Sequence, residues 1–355
     1  MSVNTSKAFL PAIASMSLGR AWVHDIETKL QAASQQGFKG IEIFYEDLEY
    51  VSKALLESDD PAGASLPHNL IKGAQHVRQL CDRFDLTIIG LQPFLFYEGL
   101  LDRAEHDRLI TKLHVWFDIA DTLRTDTIQI PSNFLPADQL TGDIDLIVED
   151  LTKVADLGLQ RSPQIRFAYE NLCWGTHVST WEQAWEIVER VNRSNFGMCL
   201  DTFNIAGGVW ADPESSTGRV PDADDLLAHS LHRMAQSIDL AKIFYIQVVD
   251  AERLESPLVQ GHPYYVEEQP SRMSWSRNAR CFMYEEDRGA YLPAEQVART
   301  IIEELGYTGY VSMELFSRTM SDPSEGVPQS HAIRAARAWK KFEAALALKS
   351  GWTPE

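Results

Sequence analysis

Eight short apolar runs, each closed by turn or polar residues, recur along the chain. They are FLPAIASMSL (9–18), GIEIFYED (40–47), LTIIGLQPF (86–94), TDTIQIPS (125–132), IRFAYEN (165–171), FGMCLDTFN (196–204), IFYIQVVD (243–250) and GYVSMELF (309–316). Their β-branched and aromatic content predicts strands. Between them, segments 68–84, 103–123 and 143–159 carry apolar residues three and four apart, the period of a helix with one buried stripe. Thr180 ahead of WEQAWEIVERV, Pro293 ahead of AEQVARTIIEELG and Gly306 behind it read as helix start and stop signals. A final helix over about 329–348 closes the chain. Strand and helix alternating eight times predicts a single α/β domain over 1–355, a closed (β/α)8 TIM barrel rather than an open doubly wound sheet.

One region breaks the rhythm. Residues 251–292, after the seventh run, hold aromatic, arginine and proline residues without a clean period. A connection of that length is usually functional, and after a seventh strand it overhangs the face where barrel enzymes react. His262 and Tyr264 within it read as solvated loop residues or a lid.

Composition narrows the function. With 51 acidic against 32 basic residues and a formal charge of −19, the chain does not suit a nucleic-acid or anionic-membrane surface, though local arginines can still take a small anion. No run approaches a membrane span, and the first twenty residues lack the basic start of a secretory signal. Cys81, Cys173, Cys199 and Cys281 lie far apart, which fits reduced thiols in a cytoplasm rather than a zinc knuckle or redox pair.

Polar residues at the C-terminal ends of barrel strands face the reaction site. Four late runs carry one each: Glu170, Asp201, Gln247 and Glu314. Any one alone reads equally well as a cap or ion-pair partner. Four on successive strands make an oxygen-rich set suited to Mg2+, Mn2+ or Co2+, and a cation relieves the repulsion among three carboxylates. Gln247 in FYIQVVD is otherwise unexplained, because a buried amide without partners costs about 1–3 kcal/mol.

At these residues the sequence resembles the sugar-phosphate isomerase and epimerase superfamily, the barrels related to xylose isomerase. The strings ASMSLGR, LQPF with YEGLLDR, IQIPSNFLPA, CLDTFNIAG, YIQVVDAE, RMSWSRNAR and EDRGAYLP together resemble one branch of it, the fungal 3-dehydroshikimate dehydratases of quinate catabolism. The resemblance implies a lyase that converts 3-dehydroshikimate to protocatechuate and water by removing a proton α to the ketone. It implies Glu170, Asp201, Gln247 and Glu314 as ligands of a divalent cation that steadies the enolate charge as a Lewis acid. It also implies Ser276 and Arg280, in SRNAR, as binders of the substrate carboxylate, a bidentate role for the arginine. The plain alternative is that Arg272, Arg277 and Arg280 are solvated loop charges.

Where bacterial dehydratases of this type have Asp-x-x-His, DTFN puts Asn204, and an amide cannot act as a general base. The candidate bases are Glu42, or a metal-bound carboxylate, Glu170 or Glu314, acting twice. Asn204 and Gln92 are expected near the substrate. The competing functions are a sugar isomerase or epimerase on the same barrel and a non-catalytic barrel. An endonuclease IV-type barrel needs clustered histidines and basic grooves, and the sequence offers neither.

Overall fold

Each of the eight apolar runs becomes a strand in the computed structural model, which describes residues 9–56, 63 and 65–350. The ends of the expected unit 1–355 lie outside the described residues. The strands are β1 (Leu10–Ala14), β2 (Gly40–Phe44), β3 (Thr87–Gln92), β4 (Thr127–Pro131), β5 (Arg166–Glu170), β6 (Phe196–Asp201) and β7 (Ile243–Val248). A two-residue pair follows, β8 (Asp250–Ala251) with β9 (Arg280–Cys281), and then β10 (Tyr310–Met313). The barrel closes in the order β1-β10-β7-β6-β5-β4-β3-β2, with every neighbour parallel. The fold is therefore a (β/α)8 TIM barrel.

The strands read as unbroken apolar runs because both faces are covered. Outward residues such as Ile128, Phe167 and Leu200 join the helices in one large apolar layer, while Ala12, Ile89, Ala168, Cys199 and Tyr245 form a smaller cluster of their own. Parallel register sets the site. Asp201 pairs with Gln247, Gln247 with Ser312, and Pro131 with Glu170, so polar residues on four strands share one end of the barrel.

Helices Pro67–Arg83, Arg103–Leu123, Ile144–Leu159, Trp181–Val191 and Val327–Ala345 occupy the expected places, and Thr180 with Gln183 forms a capping box. Trp181 and Trp185 are core residues. Among the described residues, helices Ile26–Gln35, Tyr45–Ala54, Thr202–Val209 and Ala223–Ser237, and Ser271–Ala279 in the connection after β7, are not delimited in the sequence. Thr202–Val209 begins directly after a strand and contains two glycines, so neither length nor period marks it.

The connection after β7 is ordered rather than irregular. The β8–β9 ladder closes its base, helix Ser271–Ala279 crosses the barrel mouth, and a short turn spans Glu286–Arg288. Trp275 Nε1 donates to the Glu252 carbonyl at 2.9 Å, and Arg272 Nε donates to that of Gly207 at 2.8 Å. These contacts pin the helix to the barrel. All four cysteines are buried free thiols.

Candidate active site

Glu170 ends β5 and Asp201 ends β6, while Gln247 is one residue from the end of β7 and Glu314 follows β10 directly. All four are buried. One oxygen from each of Glu170, Asp201 and Glu314 lies within 4.8 Å of the others. The Gln247 amide is oriented by its donor side: Nε2 bonds Glu42 Oε2 at 3.0 Å and Glu314 Oε1 at 2.9 Å. Its Oε1 is buried without a partner. An acceptor left unpaired beside three carboxylates, in an all-oxygen donor set, fits a divalent cation.

Burial dominates the electrostatics. It pushes Glu314 up to about 8 although Arg280 opposes the shift, and it carries Glu170 well above the carboxylate range, aided by repulsion from Glu314 and Asp201. Asp201 is likewise raised by burial against the pull of Arg280. Positive charge brought beside carboxylates this crowded favours their ionised forms.

Arg280 supplies part of it. Its Nη1 donates to Asp201 Oδ2 at 2.9 Å and Glu314 Oε2 at 3.0 Å, and its Nε donates to Ser276 Oγ at 2.9 Å. The guanidinium lies 4.1 Å from the Phe203 ring centroid and 5.1 Å from that of Phe316. Arg280 is thus no solvated loop charge. Asn204 Nδ2 donates to Glu170 Oε1 and Asp201 Oδ2, both at 2.8 Å, so this residue ties two carboxylates together.

Glu42 lies deeper in the barrel, in the middle of β2, and is fully buried. It accepts from Gln92 Nε2 at 2.7 Å, from Gln247 and from Ser312 Oγ. Burial still raises it to about 7 against those hydrogen bonds. A cavity of about 260 Å³ opens above the cluster, and Gln92, Glu170, Ser276, Arg280 and Glu314 line it. Glu42, Asp201, Asn204 and Gln247 are not among its lining residues. A larger hollow, about 520 Å³, lies at the opposite end among the strand starts and shares none of these groups.

Sequence reasoning missed Gln129 and Ser312. Gln129, in IQIP on β4, lines the cavity, donates through Nε2 to Glu170 Oε2 and leaves Oε1 unpaired and buried. The signal was present, since it is an amide inside an apolar run, as Gln247 is. Ser312 is a small hydroxyl on β10 and carries no comparable mark. His262 and Tyr264 lie outside the cavity lining, with the Arg318 guanidinium 5.7 Å from the Tyr264 ring.

The family model for xylose isomerase-like TIM barrels matches residues 30–341. A Neurospora crassa 3-dehydroshikimate dehydratase is 52% identical over 333 residues, which is 93% of this chain and 92% of that protein. A Pseudomonas aeruginosa 3-dehydroshikimate dehydratase is 29% identical over 306 residues, 86% of this chain but 38% of the bacterial protein. Among solved structures, a fusion of a xylose isomerase-like TIM barrel with a 4-hydroxyphenylpyruvate dioxygenase aligns over 96% of this chain and 43% of its own, with 25% identity and a TM-score of 0.70. The chain therefore corresponds to less than half of each of these two longer proteins.

Proposed function

The chain belongs to the xylose isomerase-like TIM-barrel family, and from that premise we infer that it is a 3-dehydroshikimate dehydratase, a hydro-lyase releasing protocatechuate and water in quinate catabolism. The observation that carries this reading is the meeting of Glu170, Asp201, Glu314 and the unpaired Gln247 Oε1 beside a cavity with arginines in its wall. The Neurospora relative supplies the substrate.

Glu170, Asp201, Gln247 and Glu314 hold the divalent cation, Mg2+, Mn2+ or Co2+. Bound there, the ion supplies Lewis-acid stabilisation to negative charge developing next to it, an effect of several kcal/mol. The proton α to the ketone is removed and returned to the departing β-hydroxyl, which leaves as water, and transfer of a second ring proton to the ketone oxygen completes the aromatic ring. The proton acceptor is a carboxylate that lines the cavity, Glu170 or Glu314, serving also as ligand. Glu42, beneath Gln92 and Gln247, is a positioning residue that fixes the Gln247 amide. Asn204 does the same for Glu170 and Asp201, and Gln92, at the cavity wall, faces the substrate ring. Ser276 and Arg280 contact the substrate carboxylate from the same wall. The buried free thiols suit a reducing compartment, and we place the enzyme in the cytoplasm.

The test is direct. Purified protein given 3-dehydroshikimate should generate aromatic absorbance with Mg2+, Mn2+ or Co2+ and lose it with a chelator. Absence of aromatic product with every metal would sink the dehydratase reading. Asp201→Asn and Glu314→Gln should each abolish the metal-dependent rate, and wild-type turnover in either removes that residue from the ligand set.

A further inference from the structure

The site's charge balance is incomplete for an anionic substrate. Arg280, the arginine that reaches the carboxylate cluster, already gives its Nη1 to both Asp201 and Glu314. One cation shared by two carboxylates has little charge left for a third. When ionised, Glu170, Asp201 and Glu314 carry three negative charges, which a divalent cation and Arg280 together balance, so a substrate carboxylate set against Arg280 alone would add an uncompensated charge.

Two other arginines line the same cavity, Arg20 and Arg277. They come from opposite ends of the sequence and are set by separate supports. Arg20 follows Gly19, whose φ of 134° is open to glycine, and a Cβ there would lie 2.4 Å from the His24 ring. The turn is fixed by the buried Lys29, whose Nζ donates to the Gly19 carbonyl at 2.8 Å, and by the Arg20 amide, which donates to the Met320 carbonyl at 3.0 Å. Arg277 rides on helix Ser271–Ala279, and its Nη1 donates to the neutral Gln269 Oε1 at 2.9 Å.

Neither head group is well neutralised. Arg20 meets Glu46 through a long 3.4 Å contact, and Arg277 forms no ion pair among the described residues. Arg277 is held below its ordinary pKa by partial burial and then by the like charge of Arg20, so the two guanidiniums feel one another. Folding has brought two cations to one cavity wall although the chain has 51 acidic residues from which to draw partners. Like charges so placed are relieved by an anion between them.

We propose that Arg20 and Arg277 form an anion-binding pair in the cavity wall that shares the substrate carboxylate with Ser276 and Arg280 and sets the enzyme's preference for carboxylated rings. The inference rests on the dehydratase reading for its substrate, but not for its ligand chemistry. Arg280 then keeps the carboxylate cluster in place and touches the substrate, while the pair supplies the balancing charge.

Binding measurements on the metal-loaded protein decide it, using pairs of ligands that differ in a carboxylate. Wild type should bind protocatechuate more tightly than catechol, and benzoate more tightly than benzamide. In Arg20→Gln and Arg277→Gln each preference should shrink about tenfold or more, since each loses a charge-assisted hydrogen bond to the carboxylate. The KM for 3-dehydroshikimate should rise by more than kcat falls. Arg20→Lys and Arg277→Lys, which keep the charge, should retain most of the preference. An unchanged preference in the Gln variants overturns the site, and so does equal loss in the Lys variants, which would show that shape rather than charge matters. If wild type makes no protocatechuate, the function reading fails and the benzoate–benzamide pair still judges the site. A wild type without preference for benzoate overturns it.

Discussion

Gln247 and Gln129 are one device on two strands. Each puts Nε2 on a carboxylate and leaves Oε1 buried and unpaired, at a cost of about 1–3 kcal/mol if nothing else binds it. Gln247 was legible in the sequence because FYIQVVD is apolar around it and the neighbouring runs end in acids. Gln129 carries the same mark in IQIP, but nothing adjacent in sequence reveals that it faces Glu170, because strand register is set only when the barrel closes. A metal role for Gln247 predicts that Gln247→His keeps divalent-ion binding within about tenfold, whereas Gln247→Leu loses a donor and weakens it further, by calorimetric titration with Mn2+. Equal affinity in Gln247→Leu and wild type would take the residue out of the ligand set. Glu42 gives a second prediction. Glu42→Gln puts an amide where three donors converge, so metal affinity should fall about 10- to 100-fold, the usual effect of an outer partner, and saturating metal should restore turnover. Turnover that stays lost at saturating metal would instead make Glu42 the proton acceptor.

At the scale of elements, the strands and long helices were readable because period and caps agree with the final packing. What escaped were short helices that start at strand ends, and the order within 251–292. That order is not written in local period, since contacts distant in sequence create it, and Asp250 joins the two ends of the connection. Its Oδ1 accepts from the amides of Ala251 at 2.7 Å, Tyr291 at 3.0 Å and Leu292 at 2.8 Å, drawing the two ends of the connection together. Burial raises Asp250 to about 7 in spite of these donors. Asp250→Ala should free all three amides, lower stability by about 1–3 kcal/mol and speed hydrogen exchange across 251–292 more than in the barrel strands. Because the same connection carries Ser276, Arg277 and Arg280, the KM for substrate should rise as well. Wild-type exchange in the connection would show that Asp250 does not pin it.

At the scale of the whole molecule the barrel closes where its first and last strands meet, and the terminal helix braces that junction. Ser17 Oγ donates to the Met313 carbonyl at 3.2 Å and accepts from the Leu315 amide at 2.8 Å, joining the end of β1 to that of β10. His331, on helix Val327–Ala345, holds the Ser17 carbonyl through Nδ1 at 2.7 Å and meets Thr319 Oγ1 through Nε2 at 3.0 Å. Donation to a carbonyl places the proton of the neutral ring on Nδ1. The ring is buried, and burial first, then the Arg334 charge, push its pKa from 6.5 down to about 4. The unfolded chain therefore binds a proton that the folded chain refuses between those values. The stability tied to neutral His331 is complete above pH ~6.5 and is lost as the pH falls toward 4, by about 3 kcal/mol in all. In His331→Gln this component should vanish. The variant should be less stable than wild type near pH 7, where the fitted ring is missing, and the gap should narrow toward pH ~4.5 in denaturant unfolding of the two proteins side by side. Parallel curves across that range would mean that the junction is not held by a neutral histidine.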